Sequence, residues 1–236
     1  YIRPLFISSM RERELITEIT AFLHISYEDA FVFPHDNILF SLTADTLVAR
    51  TDVPEGMTPF QIGWKTAVMN LSDLAAMGSI PRFFLCSLTL PREYPAFDII
   101  KGARAVCTRY HCKYCGGDLN EGELSASGFA VGTSKTVMLR SGAQPDDKVG
   151  ITGDVGRVYS GLKDLDTATE SMREKIFIPR PRITEGLMLK ANSCIDISDG
   201  LSSELYHIAE ASSVRIDISS DRIPIHEDVR KKAQSL

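Results

Sequence analysis

Asp196 and Asp199 flank Ser198 in "CIDISDGLSSEL", residues 194–205. There an apolar run through Cys194, Ile195 and Ile197 gives way to Gly200 and a helix-like pattern. A surface turn accounts for such a pair taken alone. A metal–phosphate site accounts for it better when partners exist elsewhere, and they do. In "NLSDLAAMG", residues 70–78, Asp73 follows a serine and precedes small residues in the same manner. Asp45 interrupts the apolar "SLTADTLV", Asp118 follows a glycine pair in "CGGDL", and Asp29 precedes an apolar run in "YEDAFVF". An acid inside an apolar run is costly unless paired or bound to a cation. Each acid alone reads as a cap or a turn; the set reads as a cradle. Oxygen-only ligands select hard cations, chiefly Mg²⁺, and Mg²⁺ commonly holds nucleotide phosphates. The helix opening near Gly200 adds free N–H groups and a positive dipole end, which suit phosphate.

Other phosphate chemistries are missing from the sequence. It has no G-x-x-x-x-G-K-[ST] loop and no H-R-D or D-F-G pairing. His24, His35, His111, His207 and His226 are scattered, and none sits in a triad pattern. On the helix after Gly200, Ser202, Ser203, Glu204 and Glu210 make the wet face, and His207 falls on its polar side and reads as solvated. A carboxylate-rich site without a base fits one reaction well. An acceptor that is itself a phosphate is already ionised near neutral pH, so it needs only alignment and charge neutralisation.

The elements that must position these acids are legible in outline. Residues 11–24 read as an amphipathic helix with Leu15, Ile16, Ile19, Phe22 and Leu23 on one side. "FVF" and "ILFSLTADTLVA" read as strands. "MTPFQIGWKTAVMNL" reads as a helix with Thr58 as N-cap, Pro59 at the first helical position and Gln61 closing a capping box. "RFFLCSLTLP" alternates Phe83, Leu85 and Ser87 against Phe84, Cys86 and Leu88, a strand ended by Pro91. Residues 97–110 form a second helix with Phe97, Ile100, Ala103 and Cys107 inward, and "LSASGFAVGT" and "TVML" follow as strands.

This order predicts an α+β fold with a mixed sheet and helices on one face. Loop-like composition from Arg140 onward places a domain boundary there, giving domains at 1–139 and 140–236. In the second, "GITGDVGRVYSGL" reads as strand, turn and helix start, and residues 164–182 as a connecting segment. A helix near 184–191, a strand at "CIDI" with its helix, and a strand at "VRIDIS" complete it. This α/β domain has few strands and reads as incomplete or as leaning on a partner.

The bulk numbers are those of a globular chain: 236 residues, 44% apolar, 24% charged and a net charge of -5. The acidic balance argues against a nucleic-acid backbone as partner. No run approaches the about eighteen apolar residues of a membrane helix. "YIRPLFISSMRERELI" lacks a signal peptide's apolar core, and the five cysteines are odd in number, so reduced thiols and a cytoplasmic location are expected. Cys112 and Cys115 form a CxxC with no second copy, and read as ordinary half-buried cysteines.

Taken together, "IGWKTAVMNLSDLAAMGSIPRFFLCSLTLP", "GGDL", "RSGAQPDDKVGITGDVG" and "IDISDGLSSELYHIAEAS" resemble the thiamine-monophosphate kinase family, within the superfamily of aminoimidazole-ribonucleotide synthetase-like ATP-binding proteins. The resemblance runs from about residue 11 to 230, and the pairing of N-L-S-D-L-A-A-M-G with I-D-I-S-D-G-L is specific to it. It implies ATP-dependent phosphorylation of thiamine monophosphate to thiamine diphosphate, several Mg²⁺ ions, and a homodimer formed through the N-terminal domains. By motif, Asp29, Thr43, Asp45, Asp73, Asp118, Asp196 and Asp199 would be Mg²⁺ ligands, with Asp73 and Asp199 essential to transfer. Gly117, Asp118, Arg140 and Ser198 would lie on ATP, where an arginine can fork onto phosphate oxygens.

The sequence departs from the family in places. G-D-D-A becomes Tyr27-Glu28-Asp29-Ala30, T-T-D becomes Thr43-Ala44-Asp45, and G-G-D-T ends in Leu119. P-G-D becomes Pro145-Asp146-Asp147, and a histidine thought to touch substrate aligns with Asp52. The family's later G-x-D-Y-E-L segment, which carries much of the thiamine contact, is not in this sequence. Two other readings stand beside the kinase. One is another ATP-dependent synthetase of the superfamily; selenophosphate synthesis would want an early nucleophilic cysteine, and none precedes Cys86. The other is a nucleotide-binding member without kinase activity.

Overall fold

The computed structural model describes residues 5–234, with side chains from residue 14. Its order is α1 (Leu5–Leu23), β1 (Phe31–His35), β2 (Ile38–Val48), α2 (Ala49–Asp52), α3 (Pro59–Ala76), β3 (Ile80–Leu90), α4 (Ala96–Arg109), β4 (Lys113–Glu121) and β5 (Ser125–Ser134). The second half holds α5 (Arg157–Lys163), α6 (Glu170–Phe177), α7 (Ile183–Met188), α8 (Leu201–Ser212) and α9 (Glu227–Gln234). No described helix is long and apolar enough to cross a membrane.

The five strands form one sheet in the order β1-β2-β5-β3-β4. All neighbours are antiparallel except β3 and β4, which are parallel and joined over the sheet by α4. The mixed α+β architecture expected from the sequence is therefore present, with α3 and α4 on one face. Strand alternation decides which side chains meet those helices. In β3, Phe84, Cys86 and Leu88 point into the core, while Phe83 and Leu85 face outward and are exposed. In β2, Ser41 and Leu47 point inward, and Ala44 lies on the opposite face.

Helix α3 starts as its sequence predicts. Thr58 accepts from the Gln61 backbone N–H, and Gln61 Oε1 accepts from the Thr58 N–H at 2.8 Å. It crosses α4 at two glycines. A Cβ on Gly63 would lie 1.7 Å from the Ile99 carbonyl oxygen, and one on Gly102 1.9 Å from that of Phe60. The expected inward face of α4 holds at Ile100, Ala103 and Cys107, which pack in the core, and fails at Phe97. Ile99, Ala103, Val106 and Cys107 are buried, whereas Phe97 is 70% exposed.

The second half differs more from expectation. Residues 164–182 contain α6, capped by Thr169, and its Met172, Ile176 and Phe177 are buried. Trp64 Nε1 of α3 donates to the Pro179 carbonyl at 2.7 Å, and a Cβ on Gly186 of α7 would lie 2.1 Å from the Ala75 carbonyl oxygen. The segment is thus a packing element of the first half's helical layer. Conversely, "TVML", "GIT", "CIDI" and "VRIDIS" form no strand. Each is a short apolar run without a ladder partner among the described residues, and a strand exists only by pairing. The apolar side of α1 is also open: Leu15, Ile19 and Phe22 are exposed.

Candidate functional site

Helix α3 runs past its expected end at residue 71 and carries Asp73 in its last turn. The polar residues that would ordinarily weaken a helix there are satisfied across it. Asn70 is fully buried; its Nδ2 donates to the Thr66 carbonyl, and its Oδ1 accepts from the Asp45 N–H at 3.1 Å. Gly128, opposite Asp45 in the sheet, leaves the space that Asn70 fills, since a Cβ there would lie 2.2 Å from Asn70 Nδ2. Thr43, two residues from Asp45 on the same face of β2, donates to Asp73 Oδ2 at 2.5 Å.

Asp196 reaches this end of α3 from the second half, where Ser72 Oγ donates to its Oδ2 at 2.8 Å. Asp29, just before β1, completes the group. Ligand oxygens of Asp29, Asp73 and Asp196 lie within 4.8 Å of one another. Four carboxyls press on one another here: those of Asp29, Asp45, Asp73 and Asp196. Burial above all, then Asp45 and Asp196, push Asp73 up to about 9. Burial likewise lifts Asp29 to about 7 against the pull of Arg140, and raises Asp45 and Asp196. The cluster sits at the C-terminal end of α3, where helix carbonyls add negative potential. A cation relieves all of these costs together, and carboxylate oxygens suit a hard divalent ion.

Arg140 closes one side. Its Nε donates to Asp29 Oδ1 at 3.1 Å, and its Nη2 is ion-paired to the same oxygen. Its N–H donates to Glu28 Oε2 at 2.7 Å, and its carbonyl accepts from Ser193 Oγ at 2.6 Å and from Ser212 Oγ. Burial opposes the guanidinium charge, but Asp29 outweighs it and holds the proton more firmly than usual. Two atoms of this pair stay buried without a partner: Asp29 Oδ2 and Arg140 Nη1. One seeks a cation and the other an anion.

The remaining expected site residues are placed differently. Asp199 and Ser198 lie at the mouth of α8 and are exposed. Glu204, expected on a wet face, is instead buried, and its Oε1 accepts from the Ser198 and Asp199 N–H groups at 3.3 and 2.9 Å. Those N–H groups, expected to face phosphate, are thus bound within the chain. Gly117 and Asp118 lie on β4. A Cβ on Gly117 would lie 1.7 Å from the Cys86 carbonyl oxygen, so the strand pair requires glycine there. Asp118 is exposed and accepts from Asn120 Nδ2 at 2.7 Å. Three strand spacings separate β4 from β2, about 14 Å, so Asp118 is remote from Asp45 in the same chain.

Asp52 Oδ2 accepts from the Val48 N–H at 2.7 Å, and Lys65 Nζ donates to the Asp52 carbonyl. Ala44 faces away from Thr43 and Asp45, so its lack of a hydroxyl leaves no gap in the cluster. His207 is not simply solvated: its ring meets Tyr27 edge-on at 5.5 Å. Sequence reasoning did not single out Ser72, Asn70 and Glu204 as partners of the site. Only the position of Ser72 beside Asp73 hinted at a role.

A family model described as "AIR synthase related protein, N-terminal domain" matches residues 27–134, the sheet and its two helices. The class is therefore that of the AIR synthase-related fold. The chain is 41% identical to a thiamine-monophosphate kinase of Pyrococcus abyssi over 235 residues, 94% of this chain and 76% of that protein. It is 42% identical to that of Pyrococcus horikoshii over 95% of this chain and 76% of that protein. A solved structure described as AaThiL complexed with AMPPCP and TMP superposes with a TM-score of 0.87 at 28% identity, covering 94% of this chain and 76% of that one. The chain belongs to the thiamine-monophosphate kinase family, and it is an enzyme of the kinase class.

Proposed function

We propose that the chain transfers the γ-phosphate of ATP to the phosphate of thiamine monophosphate, giving thiamine diphosphate, in a Mg²⁺-dependent reaction. The observation that carries this reading is the buried Asp29–Arg140 pair with one orphan atom on each member. Beside Asp73 and Asp196 it offers a cation seat and a phosphate donor within one enclosure. Mg²⁺ bound there would bridge phosphate oxygens and neutralise their charge. Asp29, Asp73 and Asp196 would hold it, with Thr43 fixing the Asp73 carboxylate and Ser72 that of Asp196. Asp45 and Asp199 complete the carboxylate rim. Arg140 binds a phosphate oxygen through Nη1, and Ser198 lies at the rim on the same side. Among the described residues no group is positioned as a general base, and an ionised phosphate acceptor needs none.

We assign Gly117 and Asp118 to nucleotide binding in a homodimer, as a contribution to the site of a second copy. Two observations support this. Within one chain Asp118 lies three strands from Asp45, and the outer sheet face carries exposed Phe83, Leu85 and Phe129, an apolar surface suited to a like surface. We assign Asp52, whose charge bears on Asp45, to the substrate side of the site. With a domain division before Arg140, the site would lie at the junction of the two parts. The five free cysteines fit a reducing, cytoplasmic setting.

The test is thiamine monophosphate-dependent consumption of ATP with and without Mg²⁺, with thiamine diphosphate as the measured product. Asp73→Asn and Asp199→Asn should each lower transfer by about a hundredfold or more while leaving the fold intact. Mg²⁺-dependent binding of AMPPCP without any thiamine diphosphate formed would replace this reading with that of a nucleotide-binding protein.

A further inference from the structure

The Arg140 guanidinium is held along one edge and over one face. Asp29 Oδ1 takes Nε and Nη2 along the edge. Its Cζ sits over the Tyr27 ring, 4.2 Å from the ring centroid, and the Tyr27 hydroxyl also draws on the guanidinium. Nη1 is left buried and without a partner. The arginine side chain is 10% exposed, so it keeps little freedom of its own. Tyr27 is itself braced: His207 of α8 meets its ring edge-on at 5.5 Å, an interplanar angle of 77°. The ring therefore lies between α8 and the arginine, and it is 43% exposed, so it contributes little to the core.

We propose that Tyr27 is a positioning residue for nucleotide binding: its ring fixes the plane of the Arg140 guanidinium so that Nη1 points at a phosphate oxygen. The inference rests on the reading of Arg140 as a phosphate contact. The physical basis is simple. A guanidinium pinned at one edge by a single oxygen can still rock about that edge, and each rock moves Nη1 furthest. A stacked aromatic ring blocks that motion and favours the cation electrostatically. The ring need not touch the nucleotide to act. Its effect falls on nucleotide affinity, because the same contact is made before and during transfer and so stabilises both states alike.

The test uses AMPPCP with Mg²⁺, titrated calorimetrically into the protein and its variants, alongside KM for ATP and kcat. Tyr27→Leu should weaken AMPPCP roughly 3- to 30-fold, raise KM for ATP by a similar factor and leave kcat nearly unchanged. Tyr27→Phe, which keeps the ring, should restore the affinity. In an Arg140→Lys background, which has no plane to stack, Tyr27→Leu should change affinity little further. A purely structural role for Tyr27 would leave its effect independent of residue 140. The inference is overturned if Tyr27→Leu binds AMPPCP as the parent does while Arg140→Lys does not, or if Tyr27→Phe, which loses only the hydroxyl, binds no better than Tyr27→Leu. If Arg140→Lys itself binds AMPPCP unchanged, the reading of Arg140 fails and this inference with it.

Discussion

The two Ser-Asp segments look alike as letters and differ as objects. Ser72-Asp73 sits in the last turn of a helix whose Asn70, Leu71 and Leu74 are fully buried. Ile197-Ser198-Asp199 forms no ladder, bends at Ser198 and Asp199, and leads into the start of α8. Asp73 therefore stands at the negative end of a helix dipole and Asp199 close to a positive one. The first segment is as rigid as the core that holds it. The second is tied to the rest mainly by Ser72 on Asp196 and by the Cys194 N–H on the Leu139 carbonyl at 2.9 Å. A metal cradle built from such halves has one fixed wall and one that docks onto it. Under the proposed function, phosphate entry and product release would fall to the docked wall, since opening it disturbs few core contacts.

The largest test of this difference is stability. Phe84 of β3 is fully buried in the core, whereas Ile218, in a second-half segment that forms no strand, is 42% exposed. Phe84→Ala should cost about 3–5 kcal/mol in chemical denaturation, and Ile218→Ala below about 1 kcal/mol. Comparable losses from the two variants would mean that the second half is as firmly packed as the first, and the fixed-and-docked distinction would fall.

The next test reads the charge stored between the walls. Asp29 and Asp73 have carboxyls raised from an ordinary 3.8 to about 7 and about 9. Because the folded values lie above the unfolded ones, the stability they contribute is full below 3.8. It drains away as pH rises through about 7 and then about 9. Without metal, the protein should lose denaturation free energy steadily across that window. Mg²⁺ at a fixed concentration, a hundred times its dissociation constant at neutral pH, should return about 2.7 kcal/mol there, with the gain growing toward the alkaline end as the carboxylates become free to bind it. A Mg²⁺ effect that is flat with pH would separate the metal site from these two acids.

How much of this was legible follows the same division. The capping box at Thr58 and Gln61, the alternation of Phe83 and Phe84, and the strand through Thr43 and Asp45 are local patterns, and the structure keeps them. Asp73's place at the end of a helix was not legible, because it depends on Asn70 finding Asp45 and Thr66 across space. Glu204 read as solvent-facing from its helical phase, yet a loop folds back over it and its carboxylate holds two loop N–H groups. The unformed strands at 194–197 and 214–219 have the composition of strands, but composition cannot supply a neighbour. Family motifs named the acids; only the fold showed that Asp29, Asp73 and Asp196 converge while Asp118 stands apart.

The finest test concerns the single hydroxyl that joins the walls. Ser72 Oγ donates to Asp196 Oδ2 at 2.8 Å, favouring the charged carboxylate against its burial. Ser72→Ala should weaken Mg²⁺ binding by about fivefold, the equivalent of one lost hydrogen bond of about 1 kcal/mol. The metal-free protein should change little in stability, since alanine is the better helix former and offsets part of the loss. Ser72→Thr, which keeps the hydroxyl, should retain most of the affinity. Asp196→Asn provides the upper limit, because it removes the ligand charge itself. If Ser72→Ala left Mg²⁺ affinity untouched while Asp196→Asn abolished it, Asp196 would be held in place by its own segment, and the second wall would be stiffer than its missing ladder suggests.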